Sequence, residues 1–319
     1  MNHGPTVWDS PPRRVADLCR RAADDLDQAI NTLVAWHVPV PRDSRLRAAA
    51  RLLRFTAQRG VLPLNLGRRR RALSALSIAV DYTAIASQLP ASPVASLRKE
   101  LAQSVRGGLT SFGGPDAALQ LQSQHWVGAF LRSQGLGLDI PRFSHSRPGK
   151  IPDFVTTNHM IQYGIEVKRP RSRSRFLSSI TNAASQLADF GVDGAIALDA
   201  SDLLRSLPPS RTESGFVRLV RAGHKLIWNH TPGLPWEHRP GFTHVLMLAI
   251  LARGAWHQRQ RVSIPNIRLL NFSSCTSFAR ATTSLKGRRA EWLRAAFNDG
   301  FRQMGGWMLA GQDSELVGA

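Results

Sequence analysis

The stretch VLMLAILA, residues 245–252, is the longest uninterrupted apolar run in the chain. It has about half the length that a bilayer span needs, so it reads as a strand buried inside a folded domain. GAIALDAS, residues 194–201, has the same continuous apolar centre. Around these two runs the texture is mixed. Residues 116–134, 176–190, 212–229 and 287–303 read as helices, and 138–145, 151–157, 160–168, 243–252 and 262–272 as strands. Strands interleaved with helices predict an α/β domain with a central mixed sheet. An apolar fraction of 43% can fill such a core, and 20% charged residues excludes a disordered composition.

The first hundred residues differ. Val15, Leu18, Ala22, Leu26, Ala29 and Leu33 recur at steps of three and four, one face of a helix that Pro39 and Pro41 would end. A second helix starts at an N-cap, Asp43 or Ser44, and runs to Gly60. Further helices are expected over 70–88 and 92–106. The glycine-rich RGGLTSFGGPD, 106–116, is the clearest boundary. The expected organisation is a helical, arginine-rich region over 1–108 and an α/β region over 109–319.

Forty-two basic against 22 acidic residues give a net charge of +20, which favours a polyanionic partner. Nearly all of that charge is arginine; the lysines are Lys99, Lys150, Lys168, Lys225 and Lys286. Where a chain uses arginine almost throughout, a lysine marks a place where a compact ammonium with a tunable pKa is useful. The opening residues lack the apolar segment of a signal peptide, and no run is long enough for a span. The expectation is a cytoplasmic protein without a membrane partner. Cys19 and Cys275 match no paired zinc spacing and read as two ordinary thiols.

Lys168 lies in KIPDFVTTNHMIQYGIEVKRP, residues 150–170. Ile161, Tyr163, Ile165 and Val167 alternate with Gln162, Gly164, Glu166 and Lys168, so a strand here puts Glu166 and Lys168 side by side on its polar face. A two-residue turn at Asn158–His159 would set Asp153 opposite Gly164 and diagonal to Glu166, with Gly164 leaving open space beside them. Two carboxylates and an ammonium around a gap can hold Mg²⁺ and a water against a phosphate.

Pro152-Asp153, twelve residues, then Glu166-Val167-Lys168 resembles the PD-(D/E)xK motif of the restriction-endonuclease-like nuclease superfamily. The setting is similar too: a helix ending in FLRSQG, a hairpin carrying the motif, a helix, and the strand GAIALDAS, in the order of that superfamily's αβββαβ core. The resemblance implies a nuclease hydrolysing phosphodiester bonds, DNA before RNA, with Mg²⁺ (or Mn²⁺) on Asp153, Glu166 and the Val167 carbonyl. By the same resemblance Lys168 would orient or deprotonate the attacking water, and Gln186 on the following helix would support the site. One departure is that residues 117–134 contain no acid where many members place a glutamate; Gln122, Gln124 and His125 stand there instead.

On the helix over 176–190, Phe176, Ile180, Ala183, Leu187 and Phe190 form an apolar stripe, and Arg175, Ser179, Asn182 and Gln186 a polar one beside it. RPRSRSR, 169–175, adds Arg169, Arg171, Arg173 and Arg175, which with Asn182 are candidate nucleic-acid contacts. GRRRR, 67–71, is a second candidate phosphate-binding run. His224, His230, His238 and His244 have spacings that suit no metal site. Trp292 and Phe297 read as core. Two other functions fit the charge: a non-catalytic nucleic-acid-binding protein on a decayed nuclease fold, and a basic protein-interaction module. The N-terminal helices are the candidate surface for a homo-oligomer or partner protein.

Overall fold

In the computed structural model, the described residues are 6–10, 12–59, 66–89, 95–107, 116–140, 151–205, 207, 209–228, 242–259, 267–279 and 288–299. The chain divides into two compact units. One is built on Pro5–Ala129 with Arg253–Ser273, the other on Phe130–Ala252 with Ser274–Gln303.

The first unit is mainly helical: α1 (Pro12–Ala35), α2 (Arg45–Arg59), α3 (Leu66–Gln88), α4 (Ala95–Ser104) and the greater part of α5 (Asp116–Ser133). It also holds β1 (Thr6–Ser10), which pairs antiparallel with β7 (Ile267–Ala279) at Thr6↔Ser273 through Ser10↔Leu269. Of the expected stripe on α1, Ala22, Leu26, Ala29 and Leu33 are buried, Leu18 is half-buried and the side chain of Val15 lies outside the described residues; Cys19 and Ile30 are buried beside them. Burial pushes the Cys19 thiol up to about 12, which keeps it protonated and unreactive. The prolines only follow the end of α1: His37 takes a left-handed φ of 59°, and Val38 N–H donates back to the Leu33 carbonyl at 2.9 Å. Ser44, rather than Asp43, caps α2, accepting from Arg47 N–H at 3.4 Å. Inside this unit Arg45 donates to Gln122, whose amide donates to Asp81, and the Tyr82 hydroxyl donates to Ser104 at 2.8 Å. All five side chains are buried, so the two opposite charges are joined through an amide away from water.

The second unit has helices and five strands in a mixed sheet. The strands are β2 (Leu138–Asp139), β3 (Phe154–Asn158), β4 (Ile161–Lys168), β5 (Gly194–Asp199) and β6 (Val245–Arg259, to Ala252 in this unit), in the order β6-β5-β4-β3-β2. β4, β5 and β6 run parallel; β3 and β2 are antiparallel additions. All six residues of β5 are buried, as expected of a strand with parallel neighbours on both sides. The strand expected over 138–145 is only two residues long within the described part; 141–145 lie outside the described residues. Between and after the strands come α6 (Arg173–Phe190), α7 (Ser201–Arg205), α8 (Pro209–Trp228) and α9 (288–299).

The two faces of β4 meet different elements. On one, Gly164 lies under Leu187 of α6; on the other, Tyr163 packs against Trp292 of α9 with ring centroids 5.5 Å apart. Phe297 of α9 is buried against Phe130, centroids 5.4 Å apart. α6 buries Phe176, Ile180, Ala183 and Leu187, and leaves Phe190 half-buried. It is closed by Ser172, which accepts from Arg175 N–H, and by Gly191 at φ 77°, whose N–H returns to Leu187 and Ala188.

The β3–β4 turn falls one residue later than the sequence suggested. His159 and Met160 form it, with φ of 47° and 63°. Each left-handed non-glycine residue costs about 1–2 kcal/mol. Phe154 therefore faces Ile165, and Asp153 comes level with Glu166 rather than Gly164. Moving a two-residue turn by one position shifts the pairing by two, so every side chain keeps its expected face.

Candidate active site

Asp153 enters β3 after Pro152, and Glu166 and Lys168 close β4. The end of the hairpin is tied by side chains. Asp153 N–H donates to Glu166 Oε2 at 3.2 Å, Val167 N–H donates to Asp153 Oδ2 at 2.8 Å, and Lys168 Nζ donates to Glu166 Oε1. The turn register brings this about: with Asp153 level with Glu166, each carboxylate reaches the backbone of the opposing strand. Gly164 does not leave the open space expected of it. A Cβ there would lie 2.6 Å from Leu187 Cδ2 and 2.9 Å from Val192 Cγ2, so α6 packs directly over the glycine. Its register partner is Gly194, where a Cβ would meet the Gly164 carbonyl oxygen at 2.0 Å.

Burial grades the three side chains. Glu166 is 0% and Asp153 5% exposed, while the Lys168 side chain keeps 23%. Loss of solvent pushes the Glu166 carboxyl up to about 8, the Asp153 charge adds to the rise, and the Lys168 ammonium opposes it. The donor set is hard oxygen, the kind that Mg²⁺ accepts. Burial is the larger cause of the rise at Glu166; the repulsion from Asp153 that adds to it is what a divalent cation would relieve, and in that respect the two carboxylates fit such an ion. Among the described residues there is no group of three or more His, Cys, Asp or Glu that could hold a metal. Val167 is buried, and its amide is engaged by Asp153.

Gln186 is half-buried on α6, with Nε2 3.5 Å from the Ile151 carbonyl, two residues before Asp153. The other members of its polar stripe stay away from the hairpin end in their bonding: Ser179 Oγ donates to the Arg175 carbonyl at 2.7 Å, and Arg175 and Asn182 are exposed.

The arginine run splits. Arg173 and Arg175 are exposed and Arg171 is half-buried. Arg169 is not a surface phosphate contact: its side chain is 3% exposed and grips Asp202 through two bonds of 2.8 Å, with Asp199 at 3.8 Å. Alternation explains this, since the residue after Lys168 turns to the opposite side from Glu166 and Lys168. Ser201 donates to Asp199 through both N–H and hydroxyl, completing a buried polar cluster at the ends of β4 and β5. Sequence reasoning missed this cluster. Its signal was an aspartate ending an otherwise apolar strand, in register with an arginine directly after the motif.

On the first unit, Gln122 is committed to Asp81 and Arg45, and His125 lies 3.8 Å from Glu100. His244 pairs with Asp193 at 3.2 Å. His230 and His238 lie outside the described residues, as do the side chains of His224, Cys275 and residues 67–70 of the GRRRR run.

Comparison of the chain with protein-family models, with curated proteins and with solved structures gives no match. The reading of the site therefore stands on its own residues.

Proposed function

We propose that the chain is a metal-dependent nuclease that hydrolyses phosphodiester bonds, with DNA as the favoured substrate and Mg²⁺ or Mn²⁺ as cofactor. One observation carries this reading: Asp153, Glu166 and Lys168 are tied together at one end of a hairpin. The element order α5, β2, β3, β4, α6, β5 supports the reading, since a restriction-endonuclease-like core would need a helix, a hairpin carrying the motif, a helix and a strand in that sequence. Asp153, Glu166 and the Val167 carbonyl would hold the cation. When bound, it would supply Lewis-acid polarisation of the phosphate and a lower pKa for water.

The residues themselves do the rest. Lys168, the most exposed of the three, presents its ammonium where negative charge develops and can orient the attacking water. Gln186 steadies the segment that leads into Asp153 through the Ile151 carbonyl. Arg173, Arg175 and Asn182 line an exposed part of α6 where they can contact the backbone, and the net charge of +20 draws in a polyanion. The test is cleavage of supercoiled plasmid, linear duplex, single-stranded DNA and structured RNA with Mg²⁺ or Mn²⁺. Cleavage by wild type, absent in Asp153→Ala and Lys168→Ala, is expected.

A second reading is favoured by α5, which places no acid after Asp116 and spends Gln122 on Asp81 and Arg45. It is a nucleic-acid-binding protein on a decayed nuclease fold. Salt-sensitive binding unchanged by either substitution, with no cleavage of any substrate, would select it.

A further inference from the structure

The β3–β4 turn combines left-handed backbone strain with a fully solvated apolar side chain. His159 and Met160 both hold left-handed φ, 47° and 63°, a conformation in which Asn-Gly would sit with less strain. Met160 is also 96% exposed, the most exposed large apolar side chain among the described residues. A single solvated apolar side chain is ordinary on a protein surface; what points to a role outside folding is that this one sits on a turn held in left-handed strain. The surroundings suit an anionic duplex. From Phe154 to Ile165 the hairpin has no acidic side chain, and Thr157, His159 and Gln162 are exposed hydrogen-bonding groups beside the methionine. Arg288 at the start of α9 is exposed, and Arg289 lies within electrostatic reach of Tyr163, three residues from Met160.

We propose that the His159–Met160 tip is a groove-inserting wedge, with Met160 entering between base steps of duplex DNA while the flanking polar residues hold the groove walls. Flexible apolar side chains on basic proteins unstack base steps in this way. The tip is six residues from Glu166 along β4, which at strand rise is about 20 Å, or about six base pairs along a duplex. The wedge would fix the duplex at that distance from the bond to be cut. The inference rests on the nucleic-acid reading above and deepens it by naming a contact remote from the chemistry.

The experiment compares wild type with His159→Asn/Met160→Gly, Met160→Ala and Met160→Leu. It reads thermal stability, affinity for a labelled duplex, and fluorescence of 2-aminopurine placed at successive steps. The Asn-Gly double variant removes the strain, so its midpoint temperature is expected to rise, which separates loss of binding from loss of folding. Its duplex affinity, and that of Met160→Ala, should fall about tenfold, and the 2-aminopurine signal near the tip should vanish in both. Met160→Leu should keep both. Unchanged affinity and 2-aminopurine signal in the Asn-Gly and alanine variants, with wild type binding duplex, would overturn the wedge and leave the nuclease reading standing. Absence of duplex binding by wild type would overturn the wedge and, with it, duplex DNA as the substrate, while cleavage of single-stranded DNA or RNA would still decide the nuclease reading.

Discussion

Glu166 is a strongly perturbed residue of the candidate site. Its carboxyl is held near 8 against an ordinary 4.5, because burial and Asp153 outweigh Lys168. The folded state then binds a proton between those values that the unfolded state has released. Stability should therefore fall as pH rises from 4.5 towards about 8, and level off above. Metal-free thermal melts across that window should show the decline for wild type and not for Glu166→Gln. Mg²⁺ should raise the wild-type midpoint most at the alkaline end. Arg169 and its neighbours Arg173 and Arg175 divide by burial. Arg169→Ala removes the cation that grips Asp202, leaves Asp199 its bonds from Ser201, and should cost about 3 kcal/mol in urea unfolding. Arg173→Ala and Arg175→Ala should leave stability unchanged within about 0.5 kcal/mol, and weaken nucleic-acid binding.

At the scale of elements, period two along β4 was enough to place Glu166 and Lys168 together and to turn Val167 into the core. The turn was not legible to the residue. Asn158 is a better turn former than Met160, yet the turn takes His159–Met160 and leaves Asn158 in β3 paired with Ile161. The packing of α6 was visible only as a stripe; that Leu187 comes down onto Gly164 is a tertiary fact. Gly164→Ala forces a methyl against Leu187 and Val192 and should cost about 1–3 kcal/mol by urea unfolding. Combined with Leu187→Ala it should cost less than the sum of the two single substitutions, because the shortened side chain leaves room for the new methyl. The caps of α6 and the left-handed close of α1 at His37 were likewise set by local geometry that periodicity does not report.

For the whole molecule, the change of texture along the chain put a boundary at 106–116, whereas the compact units part between Ala129 and Phe130 and the first takes in Arg253–Ser273. Composition could not announce the buried Arg45–Gln122–Asp81 connection, since each partner comes from a different helix. The surplus of positive charge predicts that nucleic-acid affinity falls steeply with salt, log K decreasing by about 0.9 per neutralised phosphate for duplex. Removing Arg173 and Arg175 together should lower that slope by about two. The measurement that bears most directly on the account is cleavage of duplex DNA under single turnover in Mg²⁺. It would be run on wild type and Lys168→Ala with affinity measured on the same samples. The account predicts that the substitution abolishes cleavage while the duplex is still bound. Equal cleavage by both proteins would contradict it.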